Sequence, residues 1–531
     1  MASAIAQAQC LASKGAGAFA SRLSQHLARV RPLNAFIDER ILEPDQQGAL
    51  SGVPVAIKAN LCVEGTLTTA ASKILEGHRP SYTATAVERL RAAGATIVGS
   101  TNMDEFGMGS STAFSAHGPT LNPYSIAFAG GQAAPSDWLT PGGSSGGSAV
   151  AVATGAVAAA LGSDTGGSVR QPAAFCGVVG FKPSYGRISR HGLIAYASSL
   201  DTVGVLARSV GDAALLYDIV AGPDAADDTS IREGGSGVAP GGPGHDYALR
   251  RLSALPGERR SSTDGGPPWA ALAASDLSGL RVGCPAELRA LPRISPDVIE
   301  AWDAAAASLR ARGAQVYDVS LPALRGALSA YYVIAAAEAA SNLSRYDGLR
   351  YGASCDDFGA AAGGAPLSFR EAVEQRRSRL LGPEVQRRVM VGNLVLSREG
   401  RGAYYTAAEA ARARLVADFA RVFAGGGGGV DVLLAPVSPV LPWLSSAASQ
   451  LDPALLYEAD AMTVPASLAG LPAIAVPVGL SSAGPGGAAE PVPVGVQLVG
   501  RLRDEDTVLA VAAVLEAAVA FPAPPWRLEF S

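Results

Sequence analysis

Hydrophobic positions along the chain switch between two periods. Over residues 19–30, Phe19, Leu23, Leu27 and Val30 recur one helical turn apart among polar and basic residues, which predicts an amphipathic helix over 15–31. In SGVPVAIKAN the period falls to two: Val53, Val55 and Ile57 alternate and the run ends on Lys58, so it predicts a strand that delivers a lysine. TAVERLRAAGATIVGSTN reads as a helix closed near Gly94 and followed by a strand. SGLRVGCPAEL and VDVLLAPVSP read as short buried strands, and SPDVIEAWDAAAASLRARGAQVYDVSL as helix then strand. AVAVATGAVAAAL is apolar throughout and could be two strands, but its length favours one buried helix. Strands alternating with helices imply an α/β fold, with a mixed, mostly parallel central sheet covered by helices on both faces.

Glycine and proline punctuate this pattern without dividing it. Residues 222–276 are dense in Gly, Pro, Ser and Asp and read as a surface insertion; Gly425–Gly429 is a second linker-like tract. No composition break is sharp enough for a domain boundary, so one large domain over 32–531 is expected, preceded by an N-terminal helix or targeting remnant over 1–31. Hydrophobic residues make up 48% and charged residues 17%, which excludes a disordered chain, and a net charge of −5 argues against a broad basic face for nucleic acid. The five cysteines are scattered and form no CxxC, as expected of reduced, packed thiols; the five histidines form no HExxH, and no metal site is expected. The apolar run from Ala149 to Leu161 is too short for a membrane span of about 18 residues or more. Upstream of Asp38, the first acidic residue, stand Lys14, Arg22, Arg29 and Arg31, a composition resembling a transit segment. With the alanine- and glycine-heavy insertions it favours an organelle (chloroplast stroma or mitochondrial matrix) over a bacterial cytoplasm.

Two glycine-serine clusters, GGSSGGS at 142–148 and TGGS at 165–168, bracket the apolar run. Glycine is costly to order, so such clusters exist to bring backbone close to something. Gly142-Gly143-Ser144-Ser145-Gly146 fits the G-x-S-x-G nucleophile elbow, with His191 or His245 as a base, but the preceding APSDWLTP is not the hydrophobic strand that elbow requires. A phosphate loop would need a lysine directly after the glycines, and none follows.

Taken together, GVPVAIKAN, GGSSGGSAVAV and GSDTGGSVRQPAAFCGVVGFKPSYGRIS resemble the amidase signature family, hydrolases that use a Ser–Ser–Lys triad. The resemblance implies Ser168 as nucleophile, Ser144 as bridging serine, entered by a cis peptide, and Lys58 as base. The chemistry is coherent on its own terms: a serine hydroxyl needs a base, and a lysine becomes one when burial draws its pKa from about 10.4 toward 7–8. Backbone amides at Thr165, Gly166, Gly167 and Ser168 would face the developing oxyanion, where one donor is worth about 2.7–4 kcal/mol.

The resemblance runs from LNAFI at Leu33 to PPWRL near the C-terminus. Tracts such as STNMDEFGMGSSTAFSAHGPTLNPYS, YYVIAAAEAASNLSRYDGLRYG and YEADAMTVPASLAGLPAIAVPVG are most similar to the glutamine-hydrolysing subunits of tRNA-dependent amidotransferases. It implies that Arg388 holds the α-carboxylate of glutamine and Asp460 its α-amino group, with Tyr331, or its neighbour Tyr332, contributing. It further implies a heterotrimer. In such an assembly ammonia passes to a B subunit that uses ATP and magnesium to activate Glu-tRNA(Gln), and a small C subunit braces the pair. This chain itself would carry no cofactor and contact no membrane. The insertions at 129–138 (AGGQAAPSDW) and 222–276 depart from the family pattern. The alternatives are a stand-alone amidase acting on small amides and a catalytically silent scaffold.

Overall fold

The computed structural model describes residues 3–125, 137–232, 276–347, 350–353, 368–424, 429–450, 456–484 and 491–530. Eleven strands form one sheet: β1 (Phe36–Leu42), β2 (Pro54–Lys58), β3 (Thr96–Thr101), β4 (Ala159–Asp164), β5 (Val179–Lys182), β6 (Thr202–Ala207), β7 (Arg281–Pro285), β8 (Gln315–Val319), β9 (Val432–Pro436), β10 (Ala473–Leu480) and β11 (Pro493–Gly500). Their spatial order is β1-β3-β2-β4-β6-β5-β10-β11-β9-β7-β8. The mixed sheet of the expected α/β fold is present. Its parallel pairings fall in two blocks, β3-β2-β4 and β9-β7-β8, and the other neighbours run antiparallel. Parallel pairing needs a crossover, supplied between β2 and β3 by α3 (Thr85–Ala92) and between β7 and β8 by α7 (Pro296–Ala311).

The period-two pattern sorts side chains to the two faces. Val55, Ile57, Leu161, Val205 and Ile474 join one core with α1 (Ala4–Ser13), α3, α6 (Val210–Val220), α7 and α11 (Glu505–Val519). Ala56, Ala160, Leu206 and Ala475 join a second core with α2 (Ala16–Val30), α4 (Gly146–Ala153) and α5 (Arg170–Cys176). A third core lies under α8 (Ala327–Asn342), α9 (Pro383–Leu396) and α10 (Thr406–Phe423), against Leu433, Ala473 and Val499.

The helix expected at 15–31 forms as α2, and α1 precedes it with Ala4, Ile5, Ala8 and Leu11 buried in the first core. The strands expected at Lys58, after Gly94, in SGLRVGCPAEL and in VDVLLAPVSP are β2, β3, β7 and β9, and the helix then strand after Ser295 are α7 and β8. AVAVATGAVAAAL is not one helix: α4 ends at Ala153 and β4 begins at Ala159. Gly155 breaks it with φ of +77°, a conformation that ends helices, and β4 then slots between β2 and β6, where small side chains fit. Residues 126–136 and 233–275, most of the two insertions, and Gly425–Gly428 of the oligoglycine tract lie outside the described residues. Among the described residues Cys62, Cys176 and Cys284 are buried free thiols and Cys10 an exposed one, and no helix is long and apolar enough to cross a membrane.

Candidate active site

The last residue of β2 is Lys58, wholly buried. Its Nζ lies 2.7 Å from Ser144 Oγ, 3.0 Å from Ser163 Oγ and 3.3 Å from the Ser163 carbonyl, and Asn60 Nδ2 donates to Ser163 Oγ at 2.9 Å. Burial disfavours the ammonium and draws the Lys58 pKa down to about 7, against the partial pull of the Asp104, Asp164 and Asp201 carboxylates. A lysine in that state exists in part as a neutral amine able to accept a proton at neutral pH.

Ser144 follows a cis Gly143–Ser144 peptide, as the resemblance implies, just before α4. The two serine clusters meet through backbone: Ser145 N–H donates to the Ser168 carbonyl at 3.1 Å. Ser168 is buried in the turn between β4 and α5. That turn is clamped from three sides. Thr165 Oγ1 donates to Asp201 at 2.8 Å, Thr463 Oγ1 donates to the Gly166 carbonyl at 2.6 Å, and Gly167 N–H donates to Asp164 at 2.8 Å. The last bond departs from the expectation that all four amides of the turn are free to donate: the Gly167 amide is already bonded to Asp164. Asp164 is fully buried and paired with Arg170 at 3.0 Å; burial pushes its carboxyl upward, but the Arg170 charge and hydrogen bonds override that and hold its pKa at about 2. Gly166 is required for contact: a Cβ there would lie 2.5 Å from Cζ of Tyr331.

Arg388, Asp460, Tyr331 and Tyr332 come together across this turn. Arg388, on α9, is buried; its Nε donates to Glu384 Oε1 at 2.7 Å and its Nη1 to Tyr196 Oη at 2.6 Å. The guanidinium sits 5.1–5.7 Å from the ring centroids of Tyr332, Tyr457 and Tyr196, within cation–π range. Asp460 accepts Tyr332 Oη at 2.7 Å and Ser110 Oγ at 2.9 Å on both oxygens. Burial raises the Asp460 pKa to about 6, with the Tyr332 and Ser110 bonds opposing. Gln171 on α5 joins the two sides, accepting from Gly143 N–H at 3.0 Å and donating to Asp460 at 3.5 Å. The two tyrosines divide the work: Tyr331 packs on Gly166, while Tyr332 bonds Asp460 and stacks on Tyr457 with centroids 4.3 Å apart. A buried guanidinium and a buried carboxylate beside the glycine-serine turns offer the two charges that would complement a free amino acid.

Of the histidines considered for a nucleophile elbow, His191 sits 3.3 Å from Thr85 Oγ1 and beside the Tyr82 ring, apart from this arrangement, and His245 lies outside the described residues. Sequence reasoning passed over Ser110, Ser163, Gln171, Tyr196, Glu384 and Tyr457. Only Glu384 carried a signal, its spacing of four from Arg388 on a helix face.

A sheet with a buried lysine at one strand end, and two glycine-serine turns laid across it, is the arrangement of an amidohydrolase. The Amidase family model matches residues 29–240 and 246–509, and the chain belongs to that family. Within it the chain is 45% identical to the A subunit of glutamyl-tRNA(Gln) amidotransferase from Natronomonas pharaonis, over 91% of this chain and 99% of the relative. It is 44% identical to the protein of the same name from Nitratidesulfovibrio vulgaris, over 93% and 89% of the two chains. Among solved structures, the corresponding protein from Thermotoga maritima superposes with a TM-score of 0.71 at 34% identity, covering 97% of this chain and 96% of the other. A peptide amidase from Stenotrophomonas maltophilia superposes at 0.69 and 28% identity, covering 98% of both.

Proposed function

We propose that this chain is the glutaminase of a tRNA-dependent amidotransferase, working through Lys58, Ser144 and Ser168. Ser168 Oγ attacks Cδ of glutamine; its proton passes to Ser144 Oγ as Ser144 hands its own to Lys58 Nζ. The oxyanion is taken by amides of the 165–168 turn, those of Thr165, Gly166 and Ser168, since Gly167 is committed to Asp164. The C–N bond breaks, the proton returns to the leaving nitrogen, and ammonia departs from a glutamyl ester on Ser168. Water, deprotonated by the same relay, then releases glutamate. Arg388 holds the substrate carboxylate and Asp460 the ammonium, with Tyr332 fixing Asp460 and Tyr331 backing the oxyanion turn.

Lys58 Nζ, 2.7 Å from Ser144 Oγ in a fully buried position, is the observation that carries this reading. Ammonia then serves the B and C subunits of the assembly, with ATP, magnesium and Glu-tRNA(Gln) handled at the B subunit. Two features support an assembly of this kind. The glutamyl-tRNA(Gln) amidotransferase relatives are themselves subunits, and Met390, Val391 and Leu394 lie exposed on the outer face of α9, a surface that association would cover. An organelle, expected from the N-terminal composition, gains no support from those relatives, which are archaeal and bacterial. Fusing residues 1–31 to a reporter and following import tests it, and a reporter left in the cytosol ends it.

The experiment for the function is a pull-down from the native source coupled to a glutaminase assay. Recovery of a tRNA-binding ATPase that raises glutamine turnover is expected. Full activity of the lone chain on simple amides, with no response to partners, would favour the stand-alone amidase and overturn the proposal.

A further inference from the structure

Asp104 and Glu105 are adjacent, both buried, and neither passes a proton in the Lys58–Ser144–Ser168 relay. They reach in different directions. The Asp104 carboxylate gathers three backbone amides, from Ser111 at 3.3 Å, Thr112 at 2.9 Å and Phe114 at 3.1 Å, while its own N–H donates to the Ser144 carbonyl at 3.3 Å. The loop it gathers presents Ser110 to Asp460, and Thr112 Oγ1 donates to the Gly142 carbonyl at 2.7 Å and accepts from Gly146 N–H at 3.1 Å. One carboxylate therefore fixes both the bridging-serine turn and the end of the pocket that receives a substrate ammonium.

Glu105 reaches the opposite end. Its Oε2 accepts the N–H of Gly382 at 2.7 Å, and its Oε1 accepts from the Ser72 hydroxyl. Gly382 caps the start of α9, where a helix leaves amides without partners and favours a carboxylate, and Arg388 projects from the second turn of the same helix. A cavity of about 420 Å³ separates the 113–116 loop from the start of α9, lined by Glu105, Phe114, Gly382 and Glu384 among others. Across that gap the Glu105–Gly382 bond ties the two sides together, beside the apolar cluster that Phe106 and Met108 form with Leu381 and Val385. The pair is also held against slippage: Glu105 N–H donates to the Phe114 carbonyl at 2.6 Å, and Phe106 adopts φ of +52° with its ring 4.9 Å from that of Tyr346. A left-handed conformation at a bulky residue persists only where its surroundings enforce it.

We propose that Asp104 and Glu105 form a positioning hub that sets the bridging serine against the two ends of the amino-acid pocket. Asp104 acts through the 110–114 loop and Glu105 through the first turn of α9. The kinetic consequence rests on the glutaminase reading; the mechanical one does not. The test uses the full chain with its partners and compares Glu105→Ala, Glu105→Gln and Asp104→Asn by glutaminase kinetics and by amide exchange of peptides spanning 110–116 and 380–390.

Glu105→Ala is expected to raise KM for glutamine about tenfold with kcat within about twofold, because it displaces a ground-state contact through Arg388. Glu105→Gln, which keeps an acceptor oxygen, should recover most of the loss. Asp104→Asn should instead lower kcat about tenfold or more, since it disturbs the serine turn itself. Exchange should quicken at 380–390 alone in the Glu105→Ala chain and at 110–116 alone in the Asp104→Asn chain. Faster exchange spread over both segments in both variants would show general loosening in place of two directed supports, and would overturn the hub. An unchanged KM beside quickened exchange at 380–390 would break the link from Glu105 to Arg388. A wild-type complex without glutaminase activity would sink the glutaminase reading, while the exchange patterns would still decide for or against the hub.

Discussion

The hydrolytic side and the recognition side of the site are held in place by different means. Lys58, Ser144 and Ser168 stand at the ends of β2, α4 and the β4–α5 turn, on elements buried in the first two cores; Lys58 Nζ bonds Ser144 Oγ, and the backbone of the next residue, Ser145, ties that turn to the Ser168 carbonyl. Arg388, Asp460 and Tyr332 come from α9, a 3₁₀ turn and α8 above the third core, and reach inward on long or aromatic side chains supported by one another. The first side fixes atoms through backbone, so replacing a side chain there removes chemistry while leaving its surroundings standing. The second fixes charges through side chains, so a replacement there takes a partner from a neighbouring charge: without Arg388, Glu384 would keep only Arg387 and the Tyr457 hydroxyl. Loss on one side should therefore be read in kcat and on the other in KM.

The sharpest break between the sides is removal of the nucleophile. Ser168→Ala should reduce glutamine hydrolysis by about 10⁴-fold or more while ammonia-dependent transfer by the assembled complex survives, measured side by side in one preparation. Loss of both activities would take the nucleophile's role from Ser168. Next in size, Gly166→Ala forces a Cβ against the Tyr331 ring and should cost about 10²–10³-fold in kcat, comparable to losing an oxyanion donor; a normal kcat would detach Tyr331 from that turn. Arg388→Ala should leave kcat within a few-fold and raise KM for glutamine by about 10²-fold, the scale of a lost charge-assisted bond. An unchanged KM would put the α-carboxylate elsewhere.

The pH profile separates the sides without mutation. In the proposed mechanism Lys58 must be a neutral amine, so its protonation below about 7 should remove activity, and Asp460 must be a carboxylate, so its protonation below about 6 should weaken binding. On the acid side kcat/KM should fall in two steps, near 7 and near 6. Tyr332→Phe, the mildest change, removes a bond that favours the Asp460 carboxylate. It should raise KM several-fold and move only the lower step to higher pH. Movement of the upper step as well would show that the two halves titrate as one unit.

The contrast between the two sides also explains which residues the sequence made legible. Period two marked Lys58 as the last residue of a strand, and the glycine clusters marked Ser144 and Ser168 as turns of close backbone approach; what those residues do came from the resemblance. Arg388 and Asp460 were reached by resemblance alone, because a charged residue on a helix or turn has no local mark that sets a ligand-binder apart from a solvated surface charge. Tyr196 and Ser110 carried no local mark at all. They reach the pocket from loops far from α9 and Asp460 in the chain, and only folding brings Tyr196 Oη to Arg388 and Ser110 Oγ to Asp460. The break in AVAVATGAVAAAL was lost for a related reason: alanine and valine fit a buried helix and a central strand alike, and β4 was decided by the vacancy between β2 and β6.

What the amino-acid order settled alone was local: the periods of helix and strand, the turns that only glycine can make, and a lysine placed where its charge is hard to keep. Tertiary structure decided what depends on distant partners. It turned the Gly167 amide toward Asp164, assigned separate tasks to Tyr331 and Tyr332, and set Asp104 and Glu105 between the two halves of the site. The physical reason is that a hydrogen bond or a desolvated charge is a property of a pair, and the sequence specifies its members one at a time.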